Sequence, residues 1–544
     1  MTINQGVTVT VNPGTIIKLN SSRVINVDGI FNATGTSGSK IYFTSYADDS
    51  LGGDTNGDGG ATTPSAGNWA RISNLVGDTA VTTLKHVEIR YGGGSSSAVV
   101  YQASGEMHIE DVTIQDCSTG GVQYLGNTLR DYTMRNLTLT RVGTTTSHHG
   151  VIVSNGNVRL TSTNLTTTDV SGRHVNITSG IWTWNSSGSS FSGSGIKAIT
   201  YSGSTWDGDF TWDDDVPYYL IGDLRLNPGS SLTIVPGTII KANISGRLSN
   251  NGGTLTALGT EGDPVYFTSI KNDAVGGDTN GDAEATTPAP KDWDGFSSLN
   301  NDARSTFTHC FFSYAGDGLY AAINSTRGML TVEDSSVSNS TRRVVYINDG
   351  DVIFRRNTLK DAEWAAMWLR NNNGFAILED NHFEDCLASP YAFDPGVNLQ
   401  ATGTTAINCG NANAIVIDGS NTWIQEDQIW QENLPYFIKI DMVTADGATW
   451  TLVKGTEVKM ALDKKITVRG GMNAQGTEDE PVRFTSLYDD TIGGDTHSDG
   501  DANAPSPGDW DRFEVWNNGD LDWDYTEVLY VGKGTGEYNS ALYI

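Results

Sequence analysis

Residues 235–283 read VPGTIIKANISGRLSNNGGTLTALGTEGDPVYFTSIKNDAVGGDTNGDA, and closely similar stretches occur at 12–59 and 453–501. In each copy a G-T block leads to an F-T-S tripeptide and then to a G-G-D-T string. The Asp of that string is Asp54, Asp278 or Asp495, and the two intervals between them are nearly equal. The chain therefore contains about two and a half copies of one module.

The joins between modules also match. Trp206 and Trp212 precede Pro217, just as Trp423 and Trp430 precede Pro435. We predict modules at 1–216, 217–434 and 435–544, with the third one truncated. Because a domain rarely ends halfway through a repeat, we expect either a fragment of a longer array or a unit that continues by head-to-tail contact with another molecule.

A shorter period runs inside each module. Apolar clusters recur about every 22–26 residues, and Gly, Asn, Asp and Ser, which tolerate left-handed turns, lie between them. The centres of these clusters are Ile89, Ile114, Leu139, Leu165 and Phe191 in the first module, and Val337, Leu359, Phe383 and Ile407 in the second. The leucine-rich repeat pattern is absent. We predict an all-β fold, a right-handed parallel β-helix that forms one elongated rod of about 20 rungs.

Composition narrows the range of functions. The chain has 64 acidic and 34 basic residues, a net charge of −30, so contact with nucleic acid or anionic lipid is unfavourable. No apolar run is long enough to span a membrane. The first residues, MTINQGVTVTV, do not resemble a secretion signal. We still expect an extracellular or cell-surface protein whose signal was removed, because cytosolic calcium is too scarce to fill weak loops of the kind described next.

The G-G-D-T strings predict calcium loops. Three oxygen side chains at alternate positions converge when glycine closes the turn, and calcium binds such oxygens. An EF-hand is excluded, because its acidic twelfth position is Ser65 in the first copy. An alternative is that Gly, Asn and Asp simply form surface turns. We favour calcium, with ligands Asp49, Asp54, Asn56 and Asp58 in the first loop, Asp273, Asp278, Asn280 and Asp282 in the second, and Asp490, Asp495 and Asp499 in the third.

Further ligands come into consideration at a fixed offset. Asn68, Asp292 and Asp509 stand at the same distance after the first loop Asp and directly before a tryptophan. In the third loop His497 replaces the Asn, and imidazole is a poor ligand for a hard cation, so Asp501 is considered as a substitute. Calcium bound at these places would hold each long loop against the rod.

Four cysteines are too few for a disulfide scaffold in 544 residues. The interval between Cys386 and Cys409 matches one rung, which places one of them a rung below the other. Both stacked inward thiols and a disulfide between rungs fit this spacing.

The block P-G-T-x-I-K … V-x-F-T-S … G-G-D-T-N-G-D … D-W, best matched at 236–293, resembles modules of the right-handed parallel β-helix, or pectate-lyase-like, superfamily. Such modules occur in tandem in large bacterial surface and secreted proteins. The resemblance implies the fold and secretion. It does not decide function, because this scaffold carries polysaccharide lyases, hydrolases and epimerases as well as inert adhesin stalks.

The second module holds the best candidate for an active site. A shift of one rung along the chain stacks Arg355 on Glu379, Arg356 on Asp380, Lys360 on Glu384 and Asp361 on Asp385. A solvated ladder of charges explains this pattern without catalysis. If the protein is an enzyme, Lys360, Asp361, Arg370 and Glu384 are the candidate catalytic residues of a polysaccharide lyase or glycoside hydrolase, with Trp364, Trp368 and His382 as a sugar-binding face.

Two smaller motifs favour structural roles. His148 and His149 have no acidic neighbours in sequence and are interpreted as a turn. The acidic run 213–215 has no counterpart before Pro435 and is interpreted as a solvated connection. Taken together, the sequence favours a calcium-stabilised stalk, adhesin or fibre segment whose partner is a polysaccharide or cell-surface glycan, or a second copy of itself. The alternative is the carbohydrate-active enzyme.

Overall fold

The computed structural model describes residues 1–544 apart from 95–96, 127–129, 155–157, 179–186, 214, 317, 319–320, 371–373, 501, 517, 534–539 and 544. The fold is a parallel β-solenoid of about 19 turns, so the predicted fold class is confirmed. Most of its strands are short, although Val81–Arg90, Glu106–Cys117 and Arg130–Val142 have 10, 12 and 13 residues. The described part of the chain contains one short 3-10 helix, Asn411–Asn413.

The chain divides into two compact units. Unit 1 comprises Met1–Leu248 and Gly262–Pro288, and unit 2 comprises Ser249–Glu261 and Ala289–Ile544. These units follow spatial contacts, whereas the modules follow sequence similarity. The module boundaries at 216 and 434 therefore stay a prediction.

Unit 1 stacks its turns through two large parallel sheets. The first sheet contains Thr2–Ile3, Val24–Val27, Arg71–Asn74, Ala98–Gln102, Gly120–Leu125, Val151–Ser154, Arg173–Ile177, Ile196–Tyr201, Tyr218–Leu220, Ile239–Ala242 and Val265–Ser269. The second contains Thr8–Val11, Ile16–Leu19, Ile30–Thr34, Ile41–Ser45, Val81–Arg90, Glu106–Cys117, Arg130–Val142, Val158–Thr163, Thr166–Val170 and Ser190–Ser192. The later strands of this part of the chain are Ser204–Trp206, Asp209–Trp212, Asp223–Leu226, Ser231–Ile234 and Arg247–Asn250.

Unit 2 uses more and narrower sheets. One sheet contains Gly295–Ser298, Ala321–Ser325, Arg343–Ile347, Met367–Leu369, Tyr391–Phe393, Ile415–Ile417, Tyr436–Ile438, Glu457–Met460, Val482–Ser486 and Thr526–Val528. A second contains Thr254–Leu258, Arg304–Thr308, Met329–Glu333, Asp351–Arg355, Phe375–Glu379 and Asn398–Thr402. A further set of parallel strands, which belongs to the same 16-stranded sheet as the first set described for unit 1, comprises Cys310–Ser313, Ser336–Ser338, Thr358–Ala362, His382–Cys386 and Thr405–Ile407. The last turns form two small sheets, Trp423–Ile424, Met442–Thr444, Ile466–Val468, Phe513–Val515 and Leu542–Tyr543, and Gln428–Trp430, Thr449–Val453, Gly471–Gln475 and Asp520–Asp524.

The core is built from apolar side chains that repeat at the same position on successive turns. Ile114 lies opposite Ile89 on one side and Leu139 on the other, and all three are fully buried. In unit 2 Leu359 lies between Val337 and Phe383 in the same way. Burial of each such side chain stabilises the fold by about 1.5–3 kcal/mol. The predicted apolar columns are therefore present.

Two members of the predicted columns are wrong. Thr167, and not Leu165, lies opposite Leu139, and Ala406, and not Ile407, lies opposite Phe383. Leu165 is still buried, but Ile407 is 52% exposed. The turns differ in length by a few residues. A constant spacing between apolar residues therefore does not identify which residues lie opposite each other on successive turns.

The register is kept by corner residues in the left-handed region of φ. Non-glycine residues with φ near 50° recur twice in several of the turns, where the strand bends. These corners are His86, Asp111, Asn136 and Asn164, then Tyr91, Asp116, Arg141 and Asp169, then His309, Asp334, Arg356 and Asp380, and lastly Tyr314, Asn339, Asp361, Asp385 and Asn408. Several are bonded to the next corner, for example the Asn136 amide to the Asp111 carboxylate at 2.7 Å.

A ladder of buried asparagines stabilises the interior of unit 2. The Asn381 side-chain oxygen accepts hydrogen bonds from the backbone and side-chain amides of Asn357, at 3.1 and 3.0 Å. The Asn357 oxygen accepts from the Ser335 amide on the preceding turn at 3.0 Å. Both asparagines are at most 1% exposed. Because these buried amide groups find partners on adjacent turns, the ladder holds three turns in one register.

Candidate metal centres

Three clusters of carboxylates lie in the loops that follow the F-T-S strands. In each cluster the three side chains offer oxygens that all lie within 4.8 Å of one another. The clusters are Asp49, Asp54 and Asp58, then Asp273, Asp278 and Asp282, and then Asp490, Asp495 and Asp499. The structure thus gathers every aspartate that the sequence nominated as a principal ligand. Three like charges at this distance repel one another, which favours a bound cation.

The loops are shaped by their own aspartates. In the first loop one Asp54 oxygen accepts from the Gly57 amide at 2.7 Å, and the other accepts from the Gly59 amide at 2.9 Å. In the second loop Asp278 accepts from the Gly281 amide at 2.7 Å in the same way. Gly57 and Gly281 have φ of 71° and 76°, where side chains with a Cβ are strained. A residue in the left-handed region is thus needed in the turn that brings the oxygens together, and in the third loop Ser498 adopts this conformation, with φ of 58°.

Several oxygens in the clusters are buried without a hydrogen-bond partner. Both carboxylate oxygens of Asp273 are in this state, as is one oxygen each of Asp49, Asp282 and Asn56. Unpaired buried oxygens are rare and destabilising, and a bound ion is one of their ordinary explanations. Burial, and next the Asp278 carboxylate, raise the pKa of Asp273. An all-oxygen donor set of this kind fits a hard cation such as Ca²⁺.

Asn56 lies beside the carboxylates of the first cluster. Its amide nitrogen donates to the Asp58 carboxylate at 2.9 Å and to Thr62 at 2.9 Å, which leaves its oxygen as the unpaired atom. Asn280 donates to Asp282 at 2.9 Å in the second loop. The predicted asparagine ligands are therefore next to the clusters, with their orientation fixed by those bonds.

The second cluster differs from the first because a lysine side chain, that of Lys197, lies beside it. The Lys197 ammonium lies 3.6 Å from an Asp278 oxygen, and the Lys197 backbone amide donates to the Thr279 carbonyl at 2.9 Å. Burial opposes ionisation of Asp278, but the Gly281 amide and Lys197 lower its pKa. The second loop is thus attached to the earlier strand Ile196–Tyr201, within unit 1.

A buried lysine lies under the second and third loops, and sequence reasoning missed it. The Lys241 ammonium donates to the carbonyls of Asn272 and Gly277, at 2.9 and 2.8 Å. Lys459 donates to the carbonyls of Asp489, at 2.9 Å, and Gly494. Both lysines are fully buried. Burial lowers the pKa of Lys241 to about 8. The sequence did contain a sign of this role, because the repeated block at the start of each module ends in a lysine at the same position, Lys241 in the second module and Lys459 in the third.

In the first loop the corresponding lysine, Lys18, is less buried than Lys241 and Lys459. Lys18 donates to the Gly53 carbonyl at 2.6 Å and is only half-buried. In all three loops the lysine bonds the carbonyl directly before the first loop Asp. It therefore places the chain at the point where that Asp enters the cluster.

The residues directly before the loop tryptophans make hydrogen bonds that shape the ends of the loops, and their role as further ligands stays a prediction. Asn68 and Asp509 accept hydrogen bonds from the F-T-S serines, Ser45 at 2.9 Å and Ser486 at 2.5 Å. Asp292 accepts from the Ala289 amide at 3.0 Å. Asp292 and Asp509 are not among the carboxylates of the three described clusters. Through these bonds Asn68 and Asp509 join the end of the loop to the strand before it.

The tryptophans that follow these residues end the loops. The indole N–H groups of Trp69, Trp293 and Trp510 donate to backbone carbonyls at 2.8, 2.8 and 2.9 Å. Each tryptophan is at most 1% exposed. The loop is thus fixed at both ends, by the lysine and by the tryptophan.

The third cluster lacks the asparagine ligand. His497 stands in that place, and its ring packs edge-on against Tyr488 at 5.1 Å between centroids. Asp501, considered as a substitute, lies outside the described residues. The third cluster has three carboxylates and no amide oxygen at this position, so it offers fewer candidate neutral oxygen ligands than the other two.

The candidate catalytic residues of the second module are not gathered at one point. Lys360 lies opposite Glu384 on neighbouring strands, and Asp361 occupies a left-handed corner with φ of 58°. Arg370 instead follows a strand of another sheet and interacts with the buried Asp394. Burial raises the pKa of Asp394 and Arg370 opposes that rise. A catalytic role of the four residues stays a prediction.

The charged ladder predicted in the same region is present. The Arg355 guanidinium lies 2.7 Å from Glu379 and 3.2 Å from Glu333, which joins three successive turns. Arg356 occupies the corner next to Asp380 on the following turn, as the predicted register requires, and its guanidinium pairs with Asp334 on the preceding turn at 2.7 Å. Both are corner residues, and the long arginine side chain reaches the earlier turn. Exposed ion pairs of this kind contribute little to stability individually.

The aromatic side chains form a small face around an arginine. The Arg343 guanidinium lies 4.2 Å from the Trp368 ring centroid and 4.6 Å from that of Trp364. Trp364 is 46% exposed. His382 and Trp368 lie on strands of two different sheets. The His382 ring instead forms a hydrogen bond with Thr405 at 2.9 Å, on the next strand of its own sheet.

The two remaining motifs have partners within the fold. His148 and His149 accept hydrogen bonds from the backbone amides of Thr144 and Arg173, at 3.2 and 3.0 Å. Tyr218 donates to Asp213 at 3.2 Å, and Asp215 accepts from the Gly188 amide at 2.9 Å, while Asp214 is outside the described residues. These bonds agree with the interpretation of both motifs as turns.

Comparison with known proteins identifies one family. Residues 294–441 match the model of the right handed beta helix region. Neither the curated proteins nor the solved structures include a significant match to the chain. Among the residues that the structure describes, no helix is long and apolar enough to cross a bilayer.

Proposed function

Since this chain is a member of the parallel β-helix superfamily, we propose that it is a calcium-stabilised structural or adhesive segment of an extracellular or cell-surface protein. The proposal rests on the threefold repetition of one oxygen-lined cluster, two of whose copies have buried, unpaired carboxylate oxygens. Right-handed β-helix regions often occur in extracellular proteins, where millimolar calcium fills sites of modest affinity.

Calcium would act on the loops. In the second loop it would join Asp273, near the strand end, to Asp278 and Asp282 further along the chain. Three separated carboxylates would thus share one cation, and their mutual repulsion would become attraction to it. A ligand that binds only the folded state raises stability according to its concentration over its dissociation constant. The loops would then stay attached to the solenoid under mechanical load.

The experiment is calorimetric titration with calcium, combined with thermal unfolding in calcium and in chelator. The test variant carries Asp54→Asn, Asp278→Asn and Asp495→Asn, which keep the size of each side chain but remove its charge. The matched control is Asp302→Asn, an exposed loop residue. We expect calcium to raise the melting temperature of the wild type and of the control but not of the triple variant. Equal melting temperatures of the wild type in calcium and chelator, with no binding heat, would reject the proposal.

A second candidate function is a polysaccharide lyase or hydrolase acting in unit 2. The exposed Trp364 beside Arg343 is a surface on which a sugar ring can stack, and Lys360 faces Glu384 on the adjacent strands. Incubation with uronic-acid polysaccharides, followed by ultraviolet absorbance of the unsaturated product, tests the lyase. Release of reducing ends tests the hydrolase. Activity that is lost in Lys360→Ala and Glu384→Gln would favour the enzyme over the structural segment.

A further inference from the structure

Cys386 and Cys409 occupy the same position on two successive turns. Glu384 lies opposite Ile407, and the same register, continued by two residues, places Cys386 opposite Cys409. The continuation is supported by two hydrogen bonds. The Gly410 amide donates to the Cys386 carbonyl at 2.7 Å, and the Asn408 side chain donates to Asp385 at 3.1 Å. The two cysteines are therefore direct neighbours between turns.

Both side chains point into the solenoid. Cys386 is fully buried and Cys409 is 7% exposed. Both cysteines are free thiols in this structure, and the Cys386 thiol donates to the Glu384 carbonyl at 3.4 Å. The interaction with Cys409, and next burial, raise the pKa of Cys386.

The spacing of adjacent strands suits a disulfide. Neighbouring strands are about 4.8 Å apart, which falls in the range of Cα separations that disulfides span, about 4.4–6.8 Å. The other cysteines lack this arrangement. Cys117 lies opposite Val142, and the Cys310 amide donates to the hydroxyl of Ser335, on the next turn, at 2.9 Å. They provide buried cysteines for comparison.

We propose that Cys386 and Cys409 form a disulfide between successive turns when the chain folds in an oxidising compartment. One thiol loses its proton and attacks a small-molecule disulfide such as oxidised glutathione, releasing one reduced thiol. The second cysteine then attacks the mixed disulfide and releases the other. The protein loses two hydrogens and two electrons pass to the oxidant. This step takes place during folding, before the two side chains are buried.

The bond would secure a part of unit 2 that supports the third loop. The 3-10 turn Asn411–Asn413 begins two residues after Cys409, and Ala412 lies against Gly494 of that loop. The link closes a short segment of chain and restricts mainly the unfolded state. The proposal does not depend on calcium, because none of the bonds or contacts that support it involves a candidate metal ligand.

The test is peptide mapping of protein made in an oxidising compartment, after alkylation without reductant. We expect a peptide pair linked through Cys386 and Cys409, and a melting temperature that falls by several degrees when reductant is added. The double variant Cys117→Ser, Cys310→Ser is the matched control and should keep both properties. The double variant Cys386→Ala, Cys409→Ala should lose the sensitivity to reductant.

The mapping of the wild type decides the proposal even if a variant does not fold. Complete alkylation of Cys386 and Cys409 in the unreduced protein would overturn it. A link from either residue to Cys117, to Cys310 or to glutathione would overturn it as well.

Discussion

The Lys241 ammonium lies 2.8 Å from the carbonyl oxygen of Gly277, the residue directly before Asp278 of the second carboxylate cluster. The same ammonium donates a hydrogen bond to the carbonyl of Asn272, the residue directly before Asp273. One buried cation therefore fixes the two points at which the chain enters the carboxylate cluster.

Replacing Lys241 by Met should destabilise the protein by about 2 kcal/mol, because two buried carbonyls lose a charged partner. Hydrogen exchange should show the loss of protection first in the loop 272–283. Lys18→Met is the matched control, since Lys18 is half-buried and bonds one carbonyl in the structure. Its effect should be smaller. Equal protection of the second loop in Lys241→Met and the wild type would show that the lysine does not hold it.

Replacing His497 by Asn should strengthen calcium binding at the third site about tenfold, or ~1.4 kcal/mol, because it restores an amide oxygen ligand. Calorimetry in a background with Asp54→Asn and Asp278→Asn isolates that site. The reverse change, Asn280→His, should weaken the second site by a similar factor. If His497→Asn leaves the affinity unchanged while the site still binds calcium, the asparagine is not a ligand.

Stability should fall as the pH decreases from about 6.5 to about 4, because burial lowers the pKa of His149 and of His174 to about 4. The unfolded chain takes up these protons near the ordinary histidine value. The stabilisation is therefore complete above that value, is lost as the pH falls towards the folded-state pKa, and does not change further below it. Each histidine contributes about 1.4 kcal/mol per pH unit within that window.

Urea unfolding at several pH values measures this effect. His174→Gln should flatten the slope, because the Gln side chain does not take up a proton. His382→Gln, at a half-buried position of unit 2, serves as the control and should keep the slope. An unchanged slope in His174→Gln would exclude this histidine as its source.

Replacing Asn381 by Ala should destabilise unit 2 by about 3 kcal/mol, since it leaves the Asn357 amide and the Phe354 carbonyl buried without their partner. Denaturant unfolding measures the loss. Asn348→Ala, at an exposed position, is the control and should have little effect. If both variants lose a similarly small amount of unfolding free energy, water replaces the hydrogen bonds of the Asn381 side chain.

Much of the fold follows from repetition, because similar strands at equal spacing have few ways to bury their apolar faces other than stacking. Columns such as Ile89, Ile114 and Leu139 could be predicted for that reason. Leu165 and Ile407 could not be placed correctly, because corner residues set the register and their φ values are not visible in apolar spacing.

The candidate site was predictable to the extent that its residues are close in sequence. Asp54, Asn56 and Asp58 converge through one local turn. Lys241 bonds carbonyls that are distant in sequence, and the path of the intervening chain follows from tertiary packing. The bonds of Asn68 and Asp509 to serines could not be predicted for the same reason, since these serines lie on the strand before the loop.

The left-handed corner residues, which recur at equivalent points of several successive turns, mark out single turns as repeating segments of the chain. Asp111 and Asn136 adopt the same backbone conformation at equivalent points of successive turns, and their neighbours make equivalent bonds. Removing the segment between them would join two matching backbone geometries, so we expect deletion of one whole turn to disturb the backbone path less than deletion of part of a turn.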